Sequence, residues 1–153
     1  MNKVKLIILT LSLFSFNCFS QIDKVSIRQK EDTLKCNFNI LRQLRDNIEN
    51  LDSSMISVFL MTIDKSCFNN VEFSEASNYW LFKTVETNPE LFVKTYSNIS
   101  DKIDTAFILF ELRNPINDLI PIDSIINQVE QLEFDNNSKK QILLNLKKGD
   151  WTK

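Results

Sequence analysis

The stretch LDSSMISVFLMTIDKSC, residues 51–67, decides the fold class of this chain. Asp52 or Ser53 suits the N-cap of a helix, because either side chain can accept a hydrogen bond from a free backbone N–H. The residues that follow are apolar on nearly every side, which is typical of a buried helix. A buried strand is the alternative, because several of these residues are β-branched, but no hairpin chemistry flanks the stretch. The pattern therefore predicts a buried, central helix.

Similar helical signals surround this segment. Apolar residues recur every three or four positions from Leu34 to Leu51, which predicts an amphipathic helix. Two lysines followed by Gly149 predict the end of the last helix. The segment 116–121 is an apolar connection that we expect to pack against the core. The other predicted N-caps are Ser74, Asn88 (followed by Pro89), Ser100, and Asp123 or Ser124, and the last helix is predicted to begin at about Ser138.

These signals predict an all-α protein, an irregular bundle of about six to seven short helices. We expect Phe107 and Phe110 on the inner face of the helix that begins near Ser100. The chain has one glycine, which argues against β architecture, since tight hairpins favour glycine. A HEAT-like stack of helical hairpins is the alternative architecture, although no repeat of fixed period is present. We predict a single α-helical domain over residues 32–153, which is of ordinary domain length.

Residues 1–20 have the features of a secretory signal peptide. Two lysines precede an uncharged apolar run over residues 6–16, which is too short to cross a bilayer, since that takes about 20 residues. Cleavage after Ser20 would place Cys18 and Ser20 at the two positions where small side chains are required. We therefore predict that the chain is exported and is periplasmic or secreted, with no transmembrane segment in its mature form.

Two other interpretations of the N-terminus remain open. Lipidation of Cys18 would anchor the protein to a membrane, but Phe16 and Asn17 differ from the small residues that precede a lipidated cysteine, so Cys18 is a poor anchor site. A buried first helix would need a polar face and a cap, and the run has neither. The next residues, 21–31, are polar without a period and predict a flexible segment.

Removal of the signal would leave two cysteines, Cys36 and Cys67. Disulfides persist in compartments outside the cytoplasm, so we predict that these two are joined. Two buried free thiols are the alternative, because cysteine is among the most buried residue types.

The composition excludes several classes of function. Histidine is absent, which excludes catalytic triads that need it and the commonest metal sites. The single glycine excludes a glycine-rich phosphate loop. Residues 1–20 hold two of the 18 basic residues and none of the 20 acidic ones, so the remainder carries a net charge of −4 and has no electrostatic footprint for nucleic acid. We expect no metal and no cofactor.

What remains favours binding over catalysis. Tyr79 and Trp80 are adjacent, so they point about 100° apart on a helix and we expect that they are not both fully buried; we predict that they contribute to a binding surface. We expect a non-catalytic protein-binding module, an inhibitor or immunity-type protein whose partner is another protein. One alternative is a carrier of an apolar ligand in a cavity between helices. Another is a hydrolase using carboxylates such as Glu75, Asp101 and Asp104.

Overall fold

The computed structural model describes residues 33–149. These residues form seven α-helices and two short 3-10 segments, with no β-strand among them, so the predicted all-α class is confirmed. In chain order, α1 spans Phe38–Asp46, α2 Ser53–Thr62, α3 Val71–Thr87, α4 Pro89–Asn98, α5 Thr105–Arg113, α6 Ile122–Glu130 and α7 Asn137–Lys148, and the 3-10 segments are Ile48–Asn50 and Lys65–Asn69.

Asparagine and aspartate side chains start six of the seven described helices. The Asp52 carboxylate accepts a 2.7 Å hydrogen bond from the backbone N–H of Met55 at the start of α2. Asn88 caps α4 in the same way, with Pro89 as its first residue. Both starts are as predicted. The remaining capping residues are Asn37 for α1, Asn70 for α3, Asp104 for α5 and Asn136 for α7.

Two predicted helix starts are displaced by a turn or less. Ser74 lies inside α3, because Asn70 caps that helix one turn earlier. Asp123 and Ser124 lie in the first turn of α6, which follows Pro121 and has no side-chain cap.

The start of α5 is also later than predicted, and its inner face differs. Asp104 caps this helix, whereas Ser100 lies in the turn before it. Ile108 and Leu112 are buried, and Phe110, which we expected to face inward, is exposed. Because α5 is apolar on several sides, its hydropathy pattern does not single out the face that packs.

The described helices share one hydrophobic core that extends from Ile40 to Leu146. Two helices lie at the centre: α3 packs against α1, α4, α5 and α6, and α4 packs against α2, α3, α6 and α7, whereas α2 packs chiefly against α1 and α4. The predicted central place of α2 is therefore wrong, because α3 and α4 each pack against more helices than α2 does. In a linear stack each repeat contacts only its neighbours, but α7 packs against α4, α5 and α6. The fold is thus an irregular bundle.

Across residues 33–149, no helix combines the length and the hydropathy that a membrane crossing requires. The predicted signal peptide, the cleavage after Ser20, the lipidation of Cys18 and the segment 21–31 lie outside the described residues.

Candidate functional site

The connection between α5 and α6, residues 114–121, is the most distinctive surface feature of the described chain; we call it the α5–α6 loop. Its backbone is shaped by turns. The side-chain oxygen of Asn117 accepts a 2.8 Å hydrogen bond from the N–H of Leu119, and the carbonyl of Asn117 accepts one of 3.2 Å from Ile120. This Asx turn is a local structure that asparagine favours, and it fixes the tip of the loop.

The turn points two apolar side chains outward. Leu119 is 85% exposed and Ile116 is 51% exposed, whereas the next residue, Ile120, is only 8% exposed. The expectation that the segment 116–121 packs against the core is therefore wrong for its two most prominent side chains. Only Ile120 anchors the loop in the core.

A cleft of about 890 Å³ adjoins the loop. Six of its ten lining residues are polar or charged, so it differs from the mostly apolar pockets that hold small apolar ligands. Three of these residues, Arg113, Asp118 and Asp123, take part in no ion pair among residues 33–149. The full lining is Arg113, Asn114, Pro115, Asn117, Asp118, Ile120, Pro121, Ile122, Asp123 and Ser124.

A buried amide beneath the loop connects it to α3. Asn78 Nδ2 donates to Glu111 Oε2 at 2.7 Å, to the Glu111 carbonyl at 3.3 Å and to the Asn114 carbonyl at 3.1 Å. Asn78 Oδ1 accepts a 3.0 Å hydrogen bond from the N–H of Ile116. One side chain on α3 therefore holds the end of α5 and the beginning of the loop.

Glu111 is the most buried acid among the described residues, with 5% of its surface exposed. Burial raises the pKa of its carboxyl above the ordinary value, and the hydrogen bond from Asn78 offsets part of this rise. No lysine or arginine nitrogen of the described residues lies within 4.0 Å of this carboxyl group. The Glu111 carboxylate is therefore stabilised by an amide and not by a cation.

The predicted binding residues Tyr79 and Trp80 lie on α3, and both are half-buried against the core. Their rings are in T-shaped contact, with centroids 5.1 Å apart. The Lys83 ammonium lies 6.0 Å from the Tyr79 ring centroid and also forms a 2.7 Å ion pair with Glu86. Neither aromatic residue lines the cleft, and their role in binding stays a prediction.

The structure brings Cys36 and Cys67 together, with their Sγ atoms 2.14 Å apart and their Cα atoms 5.5 Å apart. Cys36 has a φ of 53°, in the left-handed region, and its N–H donates to the Thr62 carbonyl at 3.0 Å. The N–H of Asn37 donates to the Thr62 hydroxyl at 2.9 Å. The segment before α1 is therefore tied to the end of α2. A pair at disulfide distance is compatible with an oxidising compartment.

The three carboxylates predicted as hydrolase candidates do not form a paired site. Glu75 and Asp101 are exposed, and Asp104 accepts a 3.1 Å hydrogen bond from the N–H of Phe107 as the cap of α5. In the part of the chain that the structure describes, no group of three or more acidic or cysteine side chains is arranged to hold a metal ion.

Comparison with protein-family models, with characterised proteins and with solved structures finds no match to this chain.

Proposed function

We propose that this chain is an exported, non-catalytic protein-binding module of the inhibitor or immunity type, and that it contacts its partner through the α5–α6 loop. The observation that carries the proposal is Leu119, a large apolar side chain 85% exposed at the tip of a turned loop. Binding residues concentrate on loops that a rigid scaffold positions.

The surroundings of Leu119 support a protein partner. An apolar side chain beside a cleft with unpaired charges has the anatomy of a protein interface, in which an apolar centre is rimmed by polar groups. Arg113, Asp118 and Asp123 would form that rim. Rim charges chiefly accelerate association and set its salt dependence. We therefore expect partner binding to slow as the ionic strength rises.

The polar lining of the cleft also distinguishes this proposal from carriage of an apolar ligand. Pockets for such ligands are lined chiefly by apolar side chains, whereas polar and charged residues form the majority here. A carrier would retain lipid through purification, which native mass spectrometry of the intact protein would detect.

The test is site-specific photo-crosslinking in the producing cell. A photoreactive amino acid replaces Leu119 in one version of the protein and Phe68 in a control version. Phe68 is a matched control because it is also a large apolar side chain, 62% exposed, and lies away from the cleft lining.

We expect one discrete protein adduct from position 119, its loss when Ile116→Asp is added, and no such adduct from position 68. The proposal is overturned if position 119 yields no adduct, or if both positions yield the same set of adducts. An adduct from position 68 alone would likewise overturn it, because the contact surface would then lie beside the cysteine pair.

A further inference from the structure

We propose that Asn78 is the positioning residue of the α5–α6 loop, which holds Ile116 and Leu119 in their outward arrangement before any partner arrives. The inference rests on the proposed function only for the partner; the order of the loop is a property of this chain alone. Asn78 is buried on α3, so it would set the arrangement of the exposed loop without being part of the surface itself.

The end of α5 shows what the Asn78 amide adds at this place. A helix leaves its last carbonyls without intrahelical donors. Pro115 lies four residues after Glu111 and has no N–H, so it cannot donate to the Glu111 carbonyl as the next helical residue would. The Glu111 carbonyl instead accepts a 3.0 Å hydrogen bond from the N–H of Asn114, and Asn78 Nδ2 adds a second, longer one of 3.3 Å. Asn78 Nδ2 also donates to the Asn114 carbonyl at 3.1 Å, one residue beyond the helix. The amide thus completes the helix end from outside.

The other face of the same amide fixes where the chain goes next. Asn78 Oδ1 accepts from the N–H of Ile116, the first of the two exposed large apolar residues of the loop. A carboxylate at position 78 would offer no donor to the two carbonyls, and a hydroxyl would be too short to reach both pieces of backbone. Asparagine supplies donors and an acceptor in one plane.

The remaining hydrogen bonds of the loop are local. Asn117 bonds to Leu119 and Ile120, two and three residues ahead, so these bonds set the turn without tying it to the bundle. Burial of Ile120 ties the far end. At the near end Asn114 bonds back to the Phe110 and Glu111 carbonyls of α5, and Asn78 holds the chain beyond it by accepting from the N–H of Ile116, 38 positions away in sequence. Loss of the amide would therefore free the chain around Ile116 and leave both the Asn114 bonds to α5 and the turn intact.

A preorganised loop has a direct consequence for binding. Ordering a flexible segment on association costs free energy, and a segment held in its bound form avoids that cost. Asn78 would accordingly strengthen partner binding without contacting the partner.

The test is amide hydrogen exchange of the full chain by NMR, which needs no partner. In Asn78→Ala, we expect the amide of Ile116 to exchange about tenfold faster than in the unmodified chain, because its hydrogen-bond acceptor, Asn78 Oδ1, is lost. Amides of α2 and α4 should keep their relative protection. The matched control is Thr84→Val, since Thr84 is buried on the same helix and its hydroxyl donates only to the Trp80 carbonyl. This control should leave Ile116 protected.

A double variant tests the specific arrangement and guards against misfolding of Asn78→Ala. In N78D/E111Q the amide and the carboxyl exchange places, while the carboxylate introduced on α3 can still accept from the N–H of Ile116. Because that carboxylate offers no donor to the Glu111 and Asn114 carbonyls, we expect partial rescue: the Ile116 amide should exchange about threefold more slowly than in Asn78→Ala and faster than in the unmodified chain. The proposal is overturned if Ile116 exchanges as fast in the double variant as freely exposed amides. It is also overturned if Asn78→Ala speeds all amides equally, since Asn78 would then be a general stability residue.

Failure of this proposal and failure of the proposed function are separable. If the loop loosens in Asn78→Ala but position 119 captures no protein, the positioning role stands and the binding role falls. If position 119 captures a partner but the Ile116 amide is unaffected by Asn78→Ala, the binding role stands and the positioning role falls.

Discussion

Two irregular segments of this molecule are linked to the helical bundle, one by a cysteine pair and the other by hydrogen bonds. The segment before α1 is joined to the second 3-10 segment through Cys36 and Cys67. The α5–α6 loop is joined to α3 through the amide of Asn78. A covalent link restricts the unfolded chain as well as the folded one, whereas hydrogen bonds act only once the fold has formed. The cysteine link should therefore affect the free energy of unfolding of the whole domain, and the Asn78 hydrogen bonds should affect the order of the loop alone.

Exposed apolar side chains lie near both links, and their surroundings differ. Phe68 and Val71 are exposed beside the cysteine pair, and Ile116 and Leu119 are exposed on the α5–α6 loop. The cleft lies beside the loop, and residues 113–124 supply its lining. Exposure alone does not mark a binding surface, since single exposed apolar residues are common; the cleft that adjoins the loop is the feature that favours it.

Breaking the Cys36–Cys67 bond should have the largest effect on stability. The two cysteines are 31 residues apart, and loss of a disulfide that closes a loop of this length costs about 3 to 4 kcal/mol in the chain-entropy model. We expect reduction to lower the urea midpoint of the unmodified protein. The double variant C36S/C67S should unfold at that lower midpoint with or without reductant. Equal midpoints for the oxidised and reduced protein would contradict this prediction.

Neighbouring substitutions in the α5–α6 loop should differ sharply. Ile120→Ala should lower the free energy of unfolding by about 2 to 3 kcal/mol, because a buried side chain that anchors the loop is lost. Leu119→Ala should change it by less than about 0.5 kcal/mol, as exposed substitutions usually do. Chemical denaturation of both variants measures the difference. A large loss of stability in Leu119→Ala would show that Leu119 packs against the bundle and is not free for a partner.

The buried Glu111 carboxyl, which bonds to Asn78, should make stability depend on pH. Its pKa is raised in the folded state by burial, above the ordinary value of 4.5, so the folded state disfavours the ionised form. The stability that Glu111 contributes is full below about pH 4.5 and is lost as the pH rises through the elevated folded-state pKa. Glu111→Gln does not titrate, so its stability relative to the unmodified protein should increase as the pH rises. Urea titrations from about pH 4 to about pH 8 measure this trend, and a difference independent of pH would contradict it.

The smallest contrast concerns one asparagine in each segment. Asn37 caps α1 beside the cysteine pair by accepting a 3.0 Å bond from Asn39 N–H. Asn37→Ala should cost about 1 kcal/mol, as N-cap losses do. Asn117→Ala breaks an exposed turn and should cost about 0.5 kcal/mol. Thermal unfolding would rank the two, and a larger loss for Asn117→Ala would mean that the turn contributes more to the fold than the helix cap does.

The parts of the fold that are predictable from the sequence depend on local signals. Asn88 and Pro89 are adjacent and together indicate the start of α4, and the structure confirms it. The predicted start of α5 was wrong because two residues capable of capping, Ser100 and Asp104, lie close together in the chain. The Ser100 hydroxyl instead donates to the Ser97 carbonyl at 3.1 Å, at the end of α4.

The sequence pattern does not indicate the candidate site, because contacts between residues far apart in sequence create it. Cysteine is rare in this chain, so Cys36 and Cys67 attract attention as a pair. Asparagine is common, and Asn78 differs from the others only in facing the core at the same helical interval as Phe82 and Val85. That position on an apolar stripe was the available signal. Its partners lie 33 to 38 residues away, and a pattern within one helix does not reveal them.

The Cys36–Cys67 pair also has a topological consequence. With the bond formed, residues 36–67 make a closed ring of chain that contains α1 and α2. Arg42, Arg45 and Lys65 are exposed within this ring. A protease that cuts once after any of them would open the ring without releasing a fragment, and the two pieces would separate only after reduction. A nicked molecule would therefore keep its full mass, raised by one water, and could retain the α5–α6 loop in place.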